Sequence, residues 1–302
     1  MNHSNCERRS ICFEEKSRVI AIAIHRISFF LAITIVLCGC SQLKLLYSFS
    51  GEVIKSKASY FLDLDETEES ALEAKVSELV DWHRAQMLPH YASFLHQIAD
   101  HVDVGPIREA FVRSTIDGFR SLMTKTVEGA TPFISEVLFQ HTTPAKLAHL
   151  RSRMEERLKE HRAELEEPQA DRISMKTEKT NSWFERLFGN FTPAQTKLTR
   201  GYFKKSEKMT AVYLDAREKR WQAFLTFLGQ NPTPEEIQQF ISIILLQSEQ
   251  VIGQQYKQLS QMWWTQFTYW IVEISVSLSL QQRRHFTQLL RSYAADMTEL
   301  SN

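Results

Sequence analysis

The chain has 302 residues, and its 36 Lys and Arg are balanced by 36 Asp and Glu. Because a chain without a basic surplus has no long-range field that attracts polyanions, bulk charge excludes nucleic acid as the expected partner. Hydrophobic residues make up 43% of the chain and aromatic residues 11%, with only nine Gly and eight Pro. This composition is typical of a helical protein with an apolar core rather than of a β-sandwich.

The N-terminal region has the order of features found in a bacterial lipoprotein signal peptide. Basic residues precede an apolar run over residues 27–37. As a helix this run is about 16 Å long, roughly half of a bilayer core, which suits a signal peptide better than a permanent span. It ends in Leu37-Cys38-Gly39-Cys40, which predicts cleavage between Gly39 and Cys40 and attachment of lipid to Cys40. The alternatives are a buried strand or an uncleaved anchor.

Cleavage there makes residues 1–39 a signal peptide and residues 40–62 a lipidated N-terminus with a short tether. Two or three acyl chains on Cys40 give stable anchoring, because each buried methylene contributes about 0.8 kcal/mol. Ser41, not Asp, follows Cys40, which predicts sorting to the outer membrane with the body facing the periplasm. We also expect translation to start later than Met1, because the region before the apolar run is long.

Cysteine usage bounds the chemistry of the mature chain. The other three cysteines all precede the predicted cut: Cys6, Cys12 and Cys38. With the sulfur of Cys40 used for lipid, no disulfide is expected within the mature chain, so its stability depends on the apolar core. We expect no cofactor, and the covalent lipid on Cys40 is the one non-protein group that the sequence predicts.

Helix-start signals divide residues 63–302 into successive helical hairpins. Three of them pair a hydroxyl N-cap with proline at the first helical position, and a fourth has the cap alone: Thr143-Pro144, Thr192-Pro193, Thr233-Pro234 and Ser279. Proline suits that position because its missing N–H has no helical partner there. Asp65 is expected to cap an earlier helix. The sequence therefore predicts an all-α, multi-helix bundle, with a possible subdomain break near Pro168.

Prolines inside the apolar stripes predict further interruptions. Pro89 predicts a kink or break after Leu88, because proline disfavours the helical region for the residue before it. A helix over residues 106–127 is expected to close before Pro132, where a short one restarts. A single long helix is expected over residues 193–228.

The most aromatic stretch lies within residues 234–278 and supplies the candidate docking residues. They are Trp263, Trp264, Phe267 and Trp270. Charged and amide side chains interrupt this segment too often for a transmembrane helix. Aromatic side chains at this density are expected either in the core or, alternatively, on a docking face for an envelope protein partner.

Metal and catalytic sites receive little support from residue spacing. His83, Met87 and His90 stand at i, i+4 and i+7, which would place two imidazoles and a thioether on one side of an unbroken helix, a set that suits copper. Pro89 interrupts that spacing, and a histidine on an apolar face is more often part of the core. The sequence has no His-Glu-x-x-His, Cys-x-x-Cys or Gly-x-Ser-x-Gly motif, so we expect no metal site and no enzyme.

Several segments resemble an uncharacterised family of proteobacterial outer-membrane lipoproteins. The resemblance is carried by Tyr60-Phe61-Leu62-Asp63-Leu64-Asp65, Trp82-His83-Arg84, Leu88-Pro89-x-Tyr91, Thr143-Pro144-Ala145-Lys146, Trp183-Phe184 and Gln282-Arg283-Arg284-His285-Phe286. It implies a lipoprotein signal and an all-helical periplasmic body, and it implies no activity.

The function expected from the sequence is binding by a lipid-anchored envelope protein. The first expectation is an interaction or scaffold protein whose aromatic C-terminal helices dock a partner. The alternative is a chaperone-like holdase, because helix starts such as Thr192-Pro-Ala-Gln195 are similar to the Leu-Thr-x-x-Gln signature of small periplasmic helical chaperones. A copper binder or an enzyme is the third possibility.

Overall fold

The computed structural model describes residues 42–302, so the predicted cleavage site at Gly39 and Cys40 lies outside the described residues. Every regular element within that range is helical, and no strand occurs there. The predicted all-α, multi-helix fold is therefore confirmed.

Helices follow one another with short connections along the described chain. Their bounds are α1 Gln42–Ser48, α2 Ser50–Phe61, α3 Glu66–Trp82, α4 Leu88–Val104, α5 Glu109–Phe139, α6 Pro144–Glu166, α7 Gln169–Phe188, α8 Pro193–Ser206, α9 Thr210–Leu228, α10 Pro234–Leu246, α11 Glu249–Ile252, α12 Gln254–Val276 and α13 Leu280–Ser301. A π-helical turn, His83–Met87, joins α3 to α4, and a 3-10 turn, Glu207–Met209, joins α8 to α9.

The predicted helix starts are confirmed. Asp65, Thr192, Thr233 and Ser279 each accept hydrogen bonds from the first-turn backbone, and the residue three positions on bonds back to the cap. Each of these capping boxes satisfies two N–H groups that the helix itself leaves without partners. Thr143 is also an N-cap, although its side chain makes no capping hydrogen bond.

Residues 49–302 form one compact unit, and α1 belongs to a separate unit. Pro168 lies inside the larger unit, at the N-cap of α7. Residues 50–61, which the sequence interpretation placed in a tether, form helix α2 and pack against α3 and α6.

Pro89 does not break the chain of helices, and the predicted interruption takes the form of a π turn directly before Leu88. The backbone stays helical through the π turn, where the N–H of Leu88 donates to the carbonyl of His83. Pro89 then falls in the first turn of α4, where its missing N–H leaves no helical bond unmade.

Helix α5 likewise runs through Pro132, against the prediction that a helix closes before it. The hydroxyl of Thr131 donates to the carbonyl of Val127 at 2.5 Å, and that of Ser135 donates to the carbonyl of Pro132 at 2.8 Å. Packing against α3 and α10 holds this helix along its length. Tertiary contacts therefore outweigh the one backbone hydrogen bond that proline removes.

Gly129 sets the separation of α3 and α5. A Cβ atom at this position would overlap the indole ring of Trp82. Since only glycine has no side chain there, the ring lies directly against the backbone of α5.

Two clusters of buried apolar residues hold the body together. The first, here called the aromatic core, includes Ile98, Ala99, Val112, Phe188, Tyr202, Trp270, Ile274 and Leu290. The second, here called the aliphatic core, consists of Leu150, Met154, Leu225, Leu228, Ile237 and Ile241. Helix α5 contributes to both, because Val112 belongs to the aromatic core and Ile134 packs against the aliphatic core.

Candidate binding cleft

A cleft of about 460 Å³ lies beside the aliphatic core. Five helices line it, α2, α3, α5, α6 and α9, with side chains that are almost all hydrocarbon: Ile54, Ala58, Phe61, Leu72, Val76, Leu79, Phe133, Ile134, Val137, Leu138, Leu150, Met154, Trp221 and Phe224. Clefts of roughly 300–1,000 Å³ with apolar walls are the usual form of a small-molecule site. This cleft is therefore the strongest candidate for a binding site in the described part of the chain.

Apolar residues at helical spacing build each wall. Leu72, Val76 and Leu79 recur at steps of four and three along α3, and Leu150 and Met154 are four apart on α6. Residues at this spacing share one face of a helix, so each helix turns a hydrocarbon stripe toward its neighbours. The stripes do not interdigitate fully, and the remaining space is the cleft.

Lys75 is the charged side chain among the described residues that line the cleft. Its Nζ lies 2.7 Å from Oε2 of Glu136 and 2.6 Å from Oε2 of Glu78. Hydrogen bonds to Glu136 and then Glu78 raise the pKa of Lys75 above its usual range, so it carries a proton at neutral pH. One cation and two carboxylates leave this part of the wall with a net negative charge.

Other polar contacts connect the helices that form the walls. Nζ of Lys55 on α2 lies 2.7 Å from Oε2 of Glu73 on α3. The hydroxyl of Tyr60 donates to Oε2 of Glu156 on α6 at 2.9 Å, and burial followed by this hydrogen bond raises the pKa of Tyr60. The walls are thus joined by polar bonds while the space between them stays apolar.

Lys146 on α6 pairs with Glu68 on α3, so the walls formed by these two helices are also joined to each other. The hydrogen bond from Lys146 is the main cause that lowers the pKa of Glu68, followed by the backbone N–H of Asp65. Glu68 is also the partner of Asp65 in the capping box of α3, so one carboxylate fixes both the start of α3 and its contact with α6.

The four aromatic residues predicted for docking are divided between the interior and the surface layer. Trp270 is only 6% exposed and stacks on Tyr202 with ring centroids 4.3 Å apart. Burial raises the pKa of Tyr202 to about 12. Trp263 stacks on Phe267 at 5.1 Å, and all three of the remaining aromatics are half-buried. The guanidinium of Arg120 lies 4.7 Å from the ring of Trp264. Trp270 is therefore part of the aromatic core.

The possible copper ligands are not brought together on one side of a helix. His83 is half-buried, Met87 is buried and His90 is exposed. The π turn between His83 and Leu88 changes the rotation per residue, so the i, i+4, i+7 spacing no longer defines one face. Burial lowers the pKa of His83. Among the residues that the structure describes, no group of three or more His, Cys, Asp and Glu side chains is placed to hold a metal ion.

None of the helices within residues 42–302 has the length and apolarity needed to cross a membrane.

The sequence predicted the starts of α3 and α6 but not the cleft. The missing signal was the helical state of residues 50–61, because Ile54, Ala58 and Phe61 of α2 complete the walls. Trp221 and Phe224 lie on α9, within residues 193–228, where one long helix was predicted and the structure has two helices joined by the 3-10 turn Glu207–Met209. Periodicity indicates which face of a helix is apolar, and it does not indicate whether opposing faces fill the space between them.

Comparison with known proteins gives a family and no activity. No curated protein and no solved structure matches this chain. A family of unknown function, DUF6279, matches residues 60–257, which is more than half of the chain and includes most of the cleft walls. The chain therefore belongs to the DUF6279 family.

Proposed function

We propose that this chain is a lipid-anchored binding protein of the bacterial outer membrane, facing the periplasm, whose cleft receives an apolar ligand. The anchor rests on the motif Leu37-Cys38-Gly39-Cys40 and on the apolar run before it. Ser41 supports sorting to the outer membrane, and the earlier resemblance to proteobacterial lipoproteins supports the same location.

The apolar lining of the cleft is the observation that carries the binding role. The cleft opens to solvent, so its hydrocarbon walls are in contact with water. Covering such a surface with an apolar ligand is favourable by about 25 cal/mol per Å² of apolar surface removed from water. A protein that keeps such a space benefits strongly from an apolar occupant, which restores the missing contacts.

The lining supports binding rather than catalysis. Its side chains are those of Ala, Ile, Leu, Val, Met, Phe and Trp with one Lys. General acid–base and nucleophilic catalysis require groups such as carboxylates, imidazoles, hydroxyls or thiols. A scaffold role that docks a protein partner is not part of this proposal. A holdase that captures whole unfolded chains needs a more extended surface than this cleft offers.

Photolabelling with a small apolar aryl diazirine tests the binding role. The full chain is held in phosphatidylcholine vesicles, irradiated with the probe and mapped by peptide mass spectrometry. We expect label on peptides that contain Leu79, Val137 and Met154, and a loss of that label in Ala58→Phe, which fills the cleft. Ala74→Phe adds the same ring on an exposed position of α3 and is the matched control. Equal labelling of the two variants would contradict the proposal.

The anchor is tested separately by the mass of the N-terminal peptide from cell membranes. We expect a peptide that begins at Cys40 and carries acyl chains, and a Cys40→Ser variant that is not acylated. An unmodified Cys40, or a retained residue 1–39 segment, would contradict the lipoprotein assignment and its outer-membrane location.

A further inference from the structure

The geometry points to a single acyl chain of a membrane lipid as the occupant of the cleft, recognised through its hydrocarbon and not through its headgroup. This inference rests on the proposed function, because it names the ligand class of the same site. Three properties of the cleft support it: its volume, its lack of hydrogen-bonding groups and the charge of its wall.

The volume matches one hydrocarbon chain. An engineered apolar cavity of about 150 Å³ takes one benzene ring, which has six carbons. The cleft of about 460 Å³ is about three times as large and therefore takes roughly eighteen hydrocarbon carbons, which is the length of the common membrane acyl chains. Two chains of that length would not fit.

The lining excludes an extended peptide as the preferred occupant. Each peptide unit carries an N–H and a C=O group, and burying them without partners is strongly unfavourable. Among the described lining residues only Lys75 is charged, and its ammonium is held by Glu78 and Glu136. The indole N–H of Trp221 is a donor, and no lining side chain offers the acceptors and donors that a whole peptide backbone requires. A hydrocarbon chain has no such groups to satisfy.

A peptide helix is too wide to enter the cleft. One turn with its side chains is about 10 Å across and 5.4 Å long, so it fills roughly 400 Å³ by itself. A longer helix would lie across the opening and insert only side chains. A hydrocarbon chain enters along its whole length, so hydrocarbon is the class of ligand that fits both the size and the chemistry.

The charge of the wall indicates where the headgroup lies. Lys75 with its two carboxylates presents a net negative charge, so the wall does not attract a phosphate or a carboxylate. The headgroup then stays in solvent or in the bilayer surface, and binding depends on the chain alone. Lipids with the same chain and different headgroups are expected to bind alike.

The test uses two lipids that carry a diazirine at the end of one acyl chain, a phosphatidylcholine and a phosphatidylglycerol. Each is mixed into phosphatidylcholine vesicles that hold the full chain, and the labelled peptides are mapped. We expect both lipids to label the peptides that contain Leu79, Val137 and Met154, with yields that agree within about twofold because no headgroup contact contributes. A yield more than tenfold higher for phosphatidylglycerol would overturn the recognition through hydrocarbon alone.

Variants that fill the cleft provide the control. Losing room for even one methylene weakens binding about fourfold, so Ala58→Phe is expected to reduce labelling by at least that factor. Val137→Phe is a second filling variant, from a different wall, in case the first disturbs α2, and Ala74→Phe is expected to label like the wild type.

The acyl-chain inference and the proposed function fail in different ways. If the aryl probe labels the cleft and the acyl probes label only other parts of the chain, the inference of an acyl chain is wrong and the binding role stands. Absence of cleft label from both kinds of probe overturns both. Undiminished acyl labelling in Ala58→Phe and Val137→Phe places the chain outside the cleft and overturns the inference.

Discussion

The aromatic core and the aliphatic core are built by the same kind of helix, yet one is filled and the other is not. In the aromatic core, Phe184, Tyr202 and Trp270 pack ring against ring, with centroids 4.3–5.4 Å apart around Trp270. In the aliphatic core, side chains of α6, α9 and α10 meet, and the cleft of about 460 Å³ stays open beside them. Of the aromatic cluster in the sequence, only Trp270 lies in the well-packed interior, and the binding site lies where the sequence is less conspicuous.

The difference follows from how the rings are arranged. In the aromatic core the rings contact one another around Trp270, so a few of them fill the space between helices. Around the cleft, Phe61, Phe133 and Phe224 lie on separate walls, and the five helices do not interdigitate closely enough to reach the density of a protein interior. Stability and binding are therefore carried by different halves of the body, and substitutions separate the two.

The largest expected effect is the loss of the central ring of the aromatic core. Trp270→Ala should lower the free energy of unfolding by about 3–5 kcal/mol, because it leaves a cavity that rigid neighbours cannot close. The matched control is Tyr269→Ala, one position away, where the side chain is 56% exposed. Its expected cost is below about 1 kcal/mol, including the loss of the contact with Arg113. Urea unfolding followed by circular dichroism measures both, and equal losses would contradict a filled core at Trp270.

The next-largest expected effect is the loss of the buried ion pairs of Glu207. This residue lies in the 3-10 turn that joins α8 of the aromatic core to α9 of the aliphatic core. The buried carboxylate of Glu207 lies 2.6 Å from Nη2 of Arg172 and 3.0 Å from Nζ of Lys176. Glu207→Gln should lower the free energy of unfolding by about 2 kcal/mol, because two cations lose their partner and both retain some solvent. Glu160→Gln removes an exposed ion pair with Arg157. It should change the free energy of unfolding by less than about 0.5 kcal/mol.

The same carboxylate gives a pH dependence with a defined sign. Burial acts to raise the pKa of Glu207, but the hydrogen bonds from Lys176 and Arg172 outweigh it and hold the pKa below its usual range. Its stabilisation is therefore fully present above the ordinary carboxyl pKa and is lost as the pH falls through the lower folded-state pKa. The difference between wild type and Glu207→Gln should shrink in acid, and a difference that grows as the pH falls would contradict this assignment.

Enlarging one alanine in each core tests the comparison directly. Ala99 is fully buried in the aromatic core, so Ala99→Leu should lower the free energy of unfolding by about 1–3 kcal/mol through overpacking. Ala58 faces the cleft, and Ala58→Leu should leave the stability unchanged or raise it slightly. Thermal unfolding by calorimetry measures both. A large loss in Ala58→Leu would show that the cleft has no room for added hydrocarbon.

The smallest expected effect compares two glycines inside helices. Gly129→Ala should lower the free energy of unfolding by about 1–2 kcal/mol, since its Cβ meets the indole of Trp82 and the overpacking exceeds the gain in helix propensity. Gly201 in α8 has open space around it, so Gly201→Ala should raise the stability by about 0.5–1 kcal/mol. The pair is measured by urea unfolding, and effects of the same sign would contradict the close approach of α3 and α5.

The sequence alone determined the helical class, the starts of the capped helices and the apolar face of most helices. These properties depend on residues within a few positions of one another, which is why Asp65, Thr192, Thr233 and Ser279 were identified correctly as caps. Only the tertiary structure decided that helices continue through Pro89 and Pro132, that Trp270 is interior and that α2 closes the cleft. Each of these outcomes depends on contacts between residues far apart in the chain, and local propensity is too weak, at about 1–3 kcal/mol, to predict them.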